Sequence, residues 1–456
     1  MKSLKKISGA ALVLVFVFLA ACSSSNNSGT SSDGGVPPAG GSGTTPDGGK
    51  ISIVFMSRNS GDDPMAKIYE KQIEEFMQQN PSIQVQNDSI YDEAAYNNKL
   101  KVAISTGETP SIFYYPAIAG LSEWAKNGVI MDLTEILDAD PEWTKGFIDG
   151  SLEAYRLDKY GVPGIYALNN EMNVDGVFYN KKLFEQAGIA NPPATMDEFY
   201  EAIGKLKAAG ITPIGVGGKA TWVMGHIFNN VLFKRIGLDG VMDLGTHEKK
   251  WTDPDVIEAL QIVKDLKEKG AFADGFEGMD YNTQFTQFIN GQTAMISHSS
   301  PFISDLYASD SPVKEDISFF PFPYFTDKPE FKDTRVVYTS SLMLSGTMSD
   351  AEKEASVKFL KYITRPEAIQ ERMNIMRIAP SKDVTPAADA PQIFKDMIAY
   401  TSTIQKSGGE YFEYDTTPSL VDVSRNKILD MMLALSAEDI AKGIQQEIDK
   451  YDASAE

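Results

Sequence analysis

The chain has 456 residues, of which 63 are acidic and 42 are basic, so its formal net charge is −21. Apolar residues make up 42% of the chain, which is typical of a globular protein with a substantial core. The acidic balance argues against binding to nucleic acid or to anionic lipid, because both need clustered Lys and Arg. Since Cys22 is the only cysteine, no disulfide framework is expected.

The N-terminus has the three-part layout of a secretory signal. Lys2, Lys5 and Lys6 precede an apolar stretch over residues 7–21, which is too short to span a bilayer comfortably. Leu19-Ala20-Ala21-Cys22 resembles the lipobox of bacterial lipoproteins, in which the cysteine receives a diacylglyceryl group and becomes the new N-terminus. We therefore predict a signal peptide over 1–21 and lipid attachment at Cys22. The alternative is an ordinary cleaved signal with an incidental cysteine.

Residues 22–49 are predicted to form a lipid-anchored, flexible linker. The segment is rich in Ser, Gly and Pro and has no apolar periodicity. Gly-rich coil of this length has a root-mean-square reach of about 30 Å. A body tethered in this way reaches partners in the same membrane.

A first series of alternating strands and helices follows the linker. Its predicted elements are, in order, a strand over Ile51–Met56, a helix over Pro64–Gln79, a strand over Ile83–Val85, a helix over Glu93–Ser105, a strand over Ser111–Tyr115 and a helix over Ile118–Lys126. This β-α-β-α-β order predicts a mostly parallel sheet with helices on both faces.

A second series follows without a long polar linker between the two. Its predicted elements are a helix from the capping box at Thr195–Glu198 to Ala209, a strand over Ile211–Val216, a helix over Asp253–Lys269, a strand over Gln292–Ser297, and helices from a second capping box at Ser349 to Tyr451. Two such series predict two α/β lobes joined through the chain.

Several ordered blocks resemble the family 1 extracellular solute-binding proteins. The most distinctive block joins Tyr160-Gly161-Val162-Pro163 to residues 177–184 (VFYNKKLF) and 187–189 (AGI). Further blocks are Phe288–Met295, Phe359–Glu367 and Pro380-Ser381-Lys382, together with Pro192–Phe199, where the family often has Trp in place of Met196. The blocks cover almost all of residues 50–450.

The resemblance implies an α/β, two-lobed, periplasmic-binding-protein-like fold of type II-like arrangement. Each lobe would be a mixed, mostly parallel sheet with flanking helices, and crossover segments would form the hinge. By position, lobe one would hold 50–167 plus 320–349, and lobe two 168–319 plus 350–456. The family mostly carries sugars and oligosaccharides to a membrane ABC permease with a separate ATPase. The resemblance therefore implies a monomeric, non-enzymatic sugar-binding lipoprotein on the extracellular face of the cytoplasmic membrane, and the long linker favours a Gram-positive type.

A sugar presents an apolar face and an edge of hydroxyls, so its site needs aromatic surfaces and planar polar groups. In a parallel α/β lobe these groups lie after the carboxyl ends of strands. This rule selects Arg58 and Asn59 after the first strand, Asp92 after the second, and Tyr115 at the end of the third. Asp92 could instead favour the positive end of the next helix.

In the second lobe, Trp222 follows the Ile211–Val216 strand at a place where the family commonly has a stacking aromatic; core packing is the alternative. Ser299 and Ser300 follow the Gln292–Ser297 strand, although the family tends to have Gly and an aromatic there. Asn173 lies in the crossover into this lobe, and Asp415 sits in an aromatic cluster where it either binds sugar hydroxyls or caps a helix.

Motifs of the main enzyme classes are absent from the sequence. His226, His247 and His298 are scattered, and the chain has no His-Glu-x-x-His or Cys-x-x-Cys spacing, no Gly-x-Ser-x-Gly elbow and no Walker loop. We therefore expect no metal and no cofactor. Since 63 acidic residues offer many carboxylate pairs, a secreted glycoside hydrolase stays open as an alternative, as does a surface sugar sensor or adhesin.

Overall fold

The computed structural model describes residues 49–115, 118–148, 151–404, 406–415 and 418–455. The predicted signal peptide, Cys22 and the linker up to residue 48 lie outside the described residues. Within the described ranges, no helix combines the length and apolar character that a membrane crossing requires.

The strands are β1 (Ile51–Met56), β2 (Ile83–Asn87), β3 (Ile112–Tyr115), β4 (Leu168–Asn180), β5 (Thr212–Ile214), β6 (Thr293–Ser299), β7 (Ile317–Phe320), β8 (Thr334–Leu344) and β9 (Lys406–Gly408). The helices are α1 (Pro64–Gln79), α2 (Glu93–Thr106), α3 (Leu121–Lys126), α4 (Thr134–Asp138), α5 (Pro141–Thr144), α6 (Lys181–Gln186), α7 (Met196–Ala208), α8 (Thr221–Arg235), α9 (Gly237–Gly245), α10 (Pro254–Glu268), α11 (Tyr281–Ile289), α12 (Phe302–Ala308), α13 (Asp350–Ile363), α14 (Pro366–Asn374), α15 (Gln392–Thr401), α16 (Pro418–Leu433) and α17 (Ala437–Ala455).

The first lobe is built on strands in the order β2-β1-β3-β8, with β1 parallel to both β2 and β3. Helix α1 begins at Pro64 because the Asp63 carboxylate accepts a hydrogen bond from the Met65 amide, and Pro suits the first helical turn. Its buried residues Met65, Tyr69, Ile73 and Phe76 recur every three or four positions, so one face packs into the core. This packing holds the loop after β1 at the carboxyl edge of the sheet.

The second lobe is built around β5-β6-β4, with β7 on the other side of β4. Separate apolar clusters lie on this part of the sheet, one containing most of α8 and the other containing Phe178, Phe288 and Phe302. Residues 223–235 of α8 are all buried, so the helix is a central element of the lobe. The capping box predicted at Thr195 and Glu198 is present and starts α7.

Two long antiparallel strands join the lobes. Residues 168–174 of β4 pair with β8, whereas residues 175–180 pair with β6 and β7. The far end of β8 pairs with β3 of the first lobe. The crossover segments implied by the resemblance are therefore continuous strands, and they bring polar β4 residues to the boundary between the lobes.

The sheet is mixed, as predicted: β1 pairs parallel with β2 and β3, whereas the crossovers β4 and β8 pair antiparallel with each other and with β3, β6 and β7. One expectation about the lobe boundaries needs correction. Helix α13 was expected in lobe two, but its apolar face, including Phe359 and Ile363, is buried in the core of the first lobe. The other lobe boundaries remain predictions.

Candidate functional site

A cavity of about 770 Å³ lies between the two lobes. Its walls come from the loops after β1 and β2, from the end of β3, from the crossover strands, from the start of α8 and from the segment before α16. This volume is in the range of sites that enclose a small organic ligand.

The first-lobe wall contains three of the predicted ligand residues, Arg58, Asn59 and Tyr115. An Arg58 guanidinium nitrogen lies 3.2 Å from the Glu93 carboxylate, and the Asn59 amide donates a 2.7 Å hydrogen bond to Asp63. Tyr115 packs against Trp124 with ring centroids 4.5 Å apart. The carboxyl ends of β1 and β3 therefore place these side chains on the cavity, as parallel-strand geometry predicts.

The second-lobe wall is aromatic. Trp222, at the start of α8, lies with its ring centroid 5.0 Å from that of Tyr281 and 5.8 Å from that of His298. Tyr338 on β8 adds a further ring, and its hydroxyl donates a 2.8 Å hydrogen bond to Ser299. Flat rings of this kind pack against the C–H face of a sugar.

His298 is held neutral within this wall. Burial, with the nearby His226, lowers the pKa of His298 to about 4. Its Nδ1 accepts a 2.8 Å hydrogen bond from the Ser299 amide, so Nε2 carries the proton and donates to the Tyr281 hydroxyl at 2.9 Å. The Tyr281 hydroxyl hydrogen is thereby left to donate toward another acceptor.

Arg377 joins both lobes at the cavity. Its guanidinium lies 3.2 Å from Asp63 of the first lobe, 3.3 Å from Glu171 on β4 and 3.1 Å from Asp305 of the second lobe. Burial raises the pKa of Asp305 to about 6, although Arg377 opposes that rise. One buried cation is thus shared by three carboxylates.

A second buried group contains Asp175, His226 and Glu410, and their ligand atoms lie within 4.8 Å of one another. Among the described residues, this is the one group of three His, Asp or Glu side chains whose ligand atoms lie close enough together to hold a metal ion. His226 Nδ1 is 2.9 Å from Asp175 and 3.9 Å from Glu410, and Arg425 is 3.4 Å from Glu410. Burial would lower the pKa of His226, but Asp175 and Glu410 raise it to about 9. The protonated imidazole therefore already compensates these carboxylates.

The remaining predicted residues divide into two groups. Asn173, Ser299 and Asp415 line the cavity, and Asp415 also lies 3.4 Å from His247. Asp92 and Ser300 do not line it. The Asp92 carboxylate caps α2 by accepting from the Ala95 amide, and the buried Ser300 hydroxyl accepts from the Val174 amide. Both side chains are used by the backbone, which is the alternative given above for Asp92.

Several cavity residues carried no signal in the sequence. They are Asp63, His226, Tyr281, Asp305, Tyr338, Arg377 and Arg425. Tyr338 lies in the crossover β8, which follows neither predicted α/β series, and Arg377 lies in the loop after α14. Asp63 is the N-cap of α1, and Tyr281 is the first residue of α11 after the N-cap Asp280.

The family model for bacterial extracellular solute-binding proteins matches residues 59–370. The chain therefore belongs to that family, as the sequence blocks indicated, and its fold is the two-lobed one. The multiple sugar-binding protein of Streptococcus mutans serotype c is 25% identical over 336 residues, covering 72% of this chain and 74% of that protein. A solved structure described as a chitin oligosaccharide binding protein is 26% identical with a TM-score of 0.81, covering 89% of this chain and all of that chain.

The name of a further relative indicates a different ligand. The sn-glycerol-3-phosphate-binding periplasmic protein UgpB of Rhizobium meliloti is 28% identical over 213 residues. That match covers 43% of this chain and 45% of the relative. The family and these relatives are binding proteins, and carbohydrate binding is the role that the sugar-binding relatives support.

Proposed function

We propose that this protein binds an oligosaccharide in the cavity between its lobes and delivers it to the membrane subunits of an ABC importer. The observation that carries the proposal is a cavity lined by the rings of Trp222, Tyr281 and Tyr338 and by the polar side chains of Arg58 and Asn59. Aromatic rings together with planar polar groups match the apolar face and the hydroxyl edge of a sugar ring. The names of the sugar-binding relatives support the same ligand class.

The proposed contact residues are Arg58, Asn59, Tyr115, Asn173, Trp222, Ser299 and Asp415. They come from both lobes and a crossover, so a ligand that touches all of them favours the closed arrangement of the lobes. Buried sugar hydroxyls left without partners cost about 1–3 kcal/mol each, which gives selectivity between glycans. The chain itself would act without turnover, and a separate ATPase would drive transport.

We also propose that Cys22 carries the lipid anchor and that the protein works as a monomer on the outer face of the cytoplasmic membrane. The lipobox-like Leu19-Ala20-Ala21-Cys22 and the Ser/Gly-rich linker support this arrangement. Two acyl chains provide the durable attachment that a single chain does not.

A thermal-shift screen against oligosaccharides, amino acids and peptides tests the function. Stabilisation follows occupancy and needs no turnover. We expect a clear rise in melting temperature with one glycan class, and recovery of that glycan unchanged. No shift with any sugar would overturn the carbohydrate proposal, and a cleaved glycan would indicate a hydrolase instead.

A further inference from the structure

The cavity between the lobes is elongated. Alternate residues of the crossover strand β8 line it, namely Tyr338, Ser340 and Leu342. At about 3.3 Å per residue, this part of the strand covers about 13 Å. On the first-lobe side, one face of α2 lines the cavity from Glu93 to Ser105, which is a rise of about 18 Å. The cavity is therefore longer than two linked pyranose rings.

The Tyr338 end of this stretch meets the aromatic wall of the second lobe. The ring centroid of Tyr338 lies 5.6 Å from that of His226, which in turn lies 5.3 Å from that of Trp222. The ring of Tyr281 lies 5.0 Å from that of Trp222. We call Trp222, Tyr281 and Tyr338 the Trp222 group. Ser299, which accepts a hydrogen bond from the Tyr338 hydroxyl, supplies a polar partner for a sugar ring that packs there.

A second pair of rings lies further along the cavity, in the first lobe. Tyr115 on β3 is the register partner of Ser341, three residues along β8 from Tyr338, which corresponds to about 10 Å. The Tyr115 ring packs against that of Trp124 on α3, with centroids 4.5 Å apart. Both rings are partly buried against the first-lobe core and line the cavity. The Tyr115–Trp124 pair therefore provides aromatic surface at a distance from the Trp222 group.

Apolar side chains from both lobes surround this second pair. Leu100 and Ile104 of α2 belong to the same apolar cluster as the pair, and they also line the cavity. The Ala119 amide, just before α3, donates a 2.8 Å hydrogen bond to the carbonyl of Glu413 in the second lobe. The neighbouring Phe412 packs in the second-lobe core and lines the cavity. This end of the cavity thus suits the C–H face of a sugar ring.

We propose that the Tyr115–Trp124 pair is a second stacking subsite, and that the bound glycan is a chain long enough to contact this pair and the Trp222 group together. This inference rests on the proposed function and adds the length of the ligand to it. A disaccharide contacts only one of the two groups, whereas a longer chain spans both. Since Trp124 and Trp222 belong to different lobes, the longer chain also favours the arrangement in which both lobes contact the ligand.

Calorimetric titration of the full-length protein in detergent tests the length of the ligand. The probes are matched disaccharides and hexasaccharides: cellobiose and cellohexaose, maltose and maltohexaose, xylobiose and xylohexaose, and the corresponding oligomers of N-acetylglucosamine. In the series that binds, we expect the hexasaccharide to bind roughly tenfold tighter than the disaccharide, because a further sugar ring stacks on the second pair.

Substitutions of three tryptophans locate the effect. Trp124→Ala is expected to remove the preference for the hexasaccharide, whereas Trp222→Ala is expected to weaken the binding of both lengths. Trp143→Ala, on a partly buried residue of the first lobe outside the cavity lining, is expected to leave the ratio of the two affinities unchanged. Trp124→Phe keeps an aromatic ring and should retain much of the preference. Thermal unfolding of each variant shows whether it is folded, and a ratio within one variant is insensitive to the fraction that is active.

The possible outcomes separate the two proposals. Equal affinities for the two lengths in the wild type, or an unchanged ratio in folded Trp124→Ala, would overturn the second subsite and leave the proposed function standing. Equal weakening of both lengths in folded Trp124→Ala would contradict the separation of the two aromatic groups. If none of these glycans binds, the proposed function is contradicted, and the inference about ligand length falls with it.

Discussion

The Arg377 guanidinium lies 3.2 Å from the Asp63 carboxylate, although 314 positions separate the two residues in the chain. Asp63 starts α1 of the first lobe, whereas Arg377 also reaches Asp305 on α12 of the second. All three line the cavity. The ion pair therefore ties the position of the first-lobe wall to that of the second-lobe wall.

Replacing Arg377 by Met should destabilise the protein strongly, because the buried Glu171 and the partly buried Asp63 and Asp305 would lose their shared cation. Breaking a buried ion pair from one side costs about 3–5 kcal/mol. Urea unfolding of the variant measures the loss. Arg156→Met, which removes a guanidinium from the exposed pair with Glu153, is the control and should change stability much less. Equal losses of unfolding free energy in both variants would show that Arg377 does not stabilise the fold as the shared counterion of the three carboxylates.

Replacing Trp222 by Ala should weaken glycan binding by roughly tenfold or more, because the largest ring of the aromatic wall is removed. Trp222 is partly buried, so much of the effect should be on binding rather than on stability. Trp143 is the matched control: it is also partly buried, but it lies outside the cavity and donates to Thr364. Trp143→Ala should therefore retain glycan affinity. Equal losses of affinity in the two variants would show that Trp222 does not contact the ligand.

His226 should make stability depend on pH in the alkaline range. Burial opposes its charge, but Asp175 and Glu410 raise its pKa from 6.5 to about 9. Its contribution is fully present below pH 6.5 and is lost as the pH rises through about 9, amounting to a few kcal/mol. The difference in unfolding free energy between wild type and His226→Gln should therefore shrink from pH 6 to pH 9.5. A difference that is constant across this range would show that His226 is not charged in the folded protein.

The regular elements were largely predictable from the sequence. Strand β1 and helix α1 have the predicted bounds, and both predicted capping boxes are present, at Thr195 and Ser349. These elements follow local rules, namely apolar periodicity and side-chain hydrogen bonds to the first turn. Local rules were sufficient for these elements.

The crossovers and much of the site were not predictable in this way. Strand β4 contains buried Asn169, Asn170, Glu171, Asn173 and Asp175, so it has neither the alternation nor the apolar run of an ordinary strand. Some of those polar side chains bond to distant partners, such as Arg372 for Asn170 and Arg377 for Glu171. Because the partners are about 200 positions away, the pairing depends on the complete fold.

Replacing Cys22 by Ala should release the protein from the membrane into the medium, because the proposed acyl chains would have no attachment point. Fractionation of cells followed by immunodetection measures the distribution. Ser25→Ala, in the adjacent linker, is the control and should stay with the membrane. Membrane retention of the Cys22→Ala protein would contradict the lipid anchor.

The most direct test of the account is a crystal structure of the protein with the glycan that gives the largest thermal shift. We predict density for the sugar in the cavity between the lobes, with one ring packed on Trp222 and hydroxyls bonded to groups such as Asn59 and Asn173. Density for the sugar at another place, with this cavity holding only solvent, would contradict the proposed site.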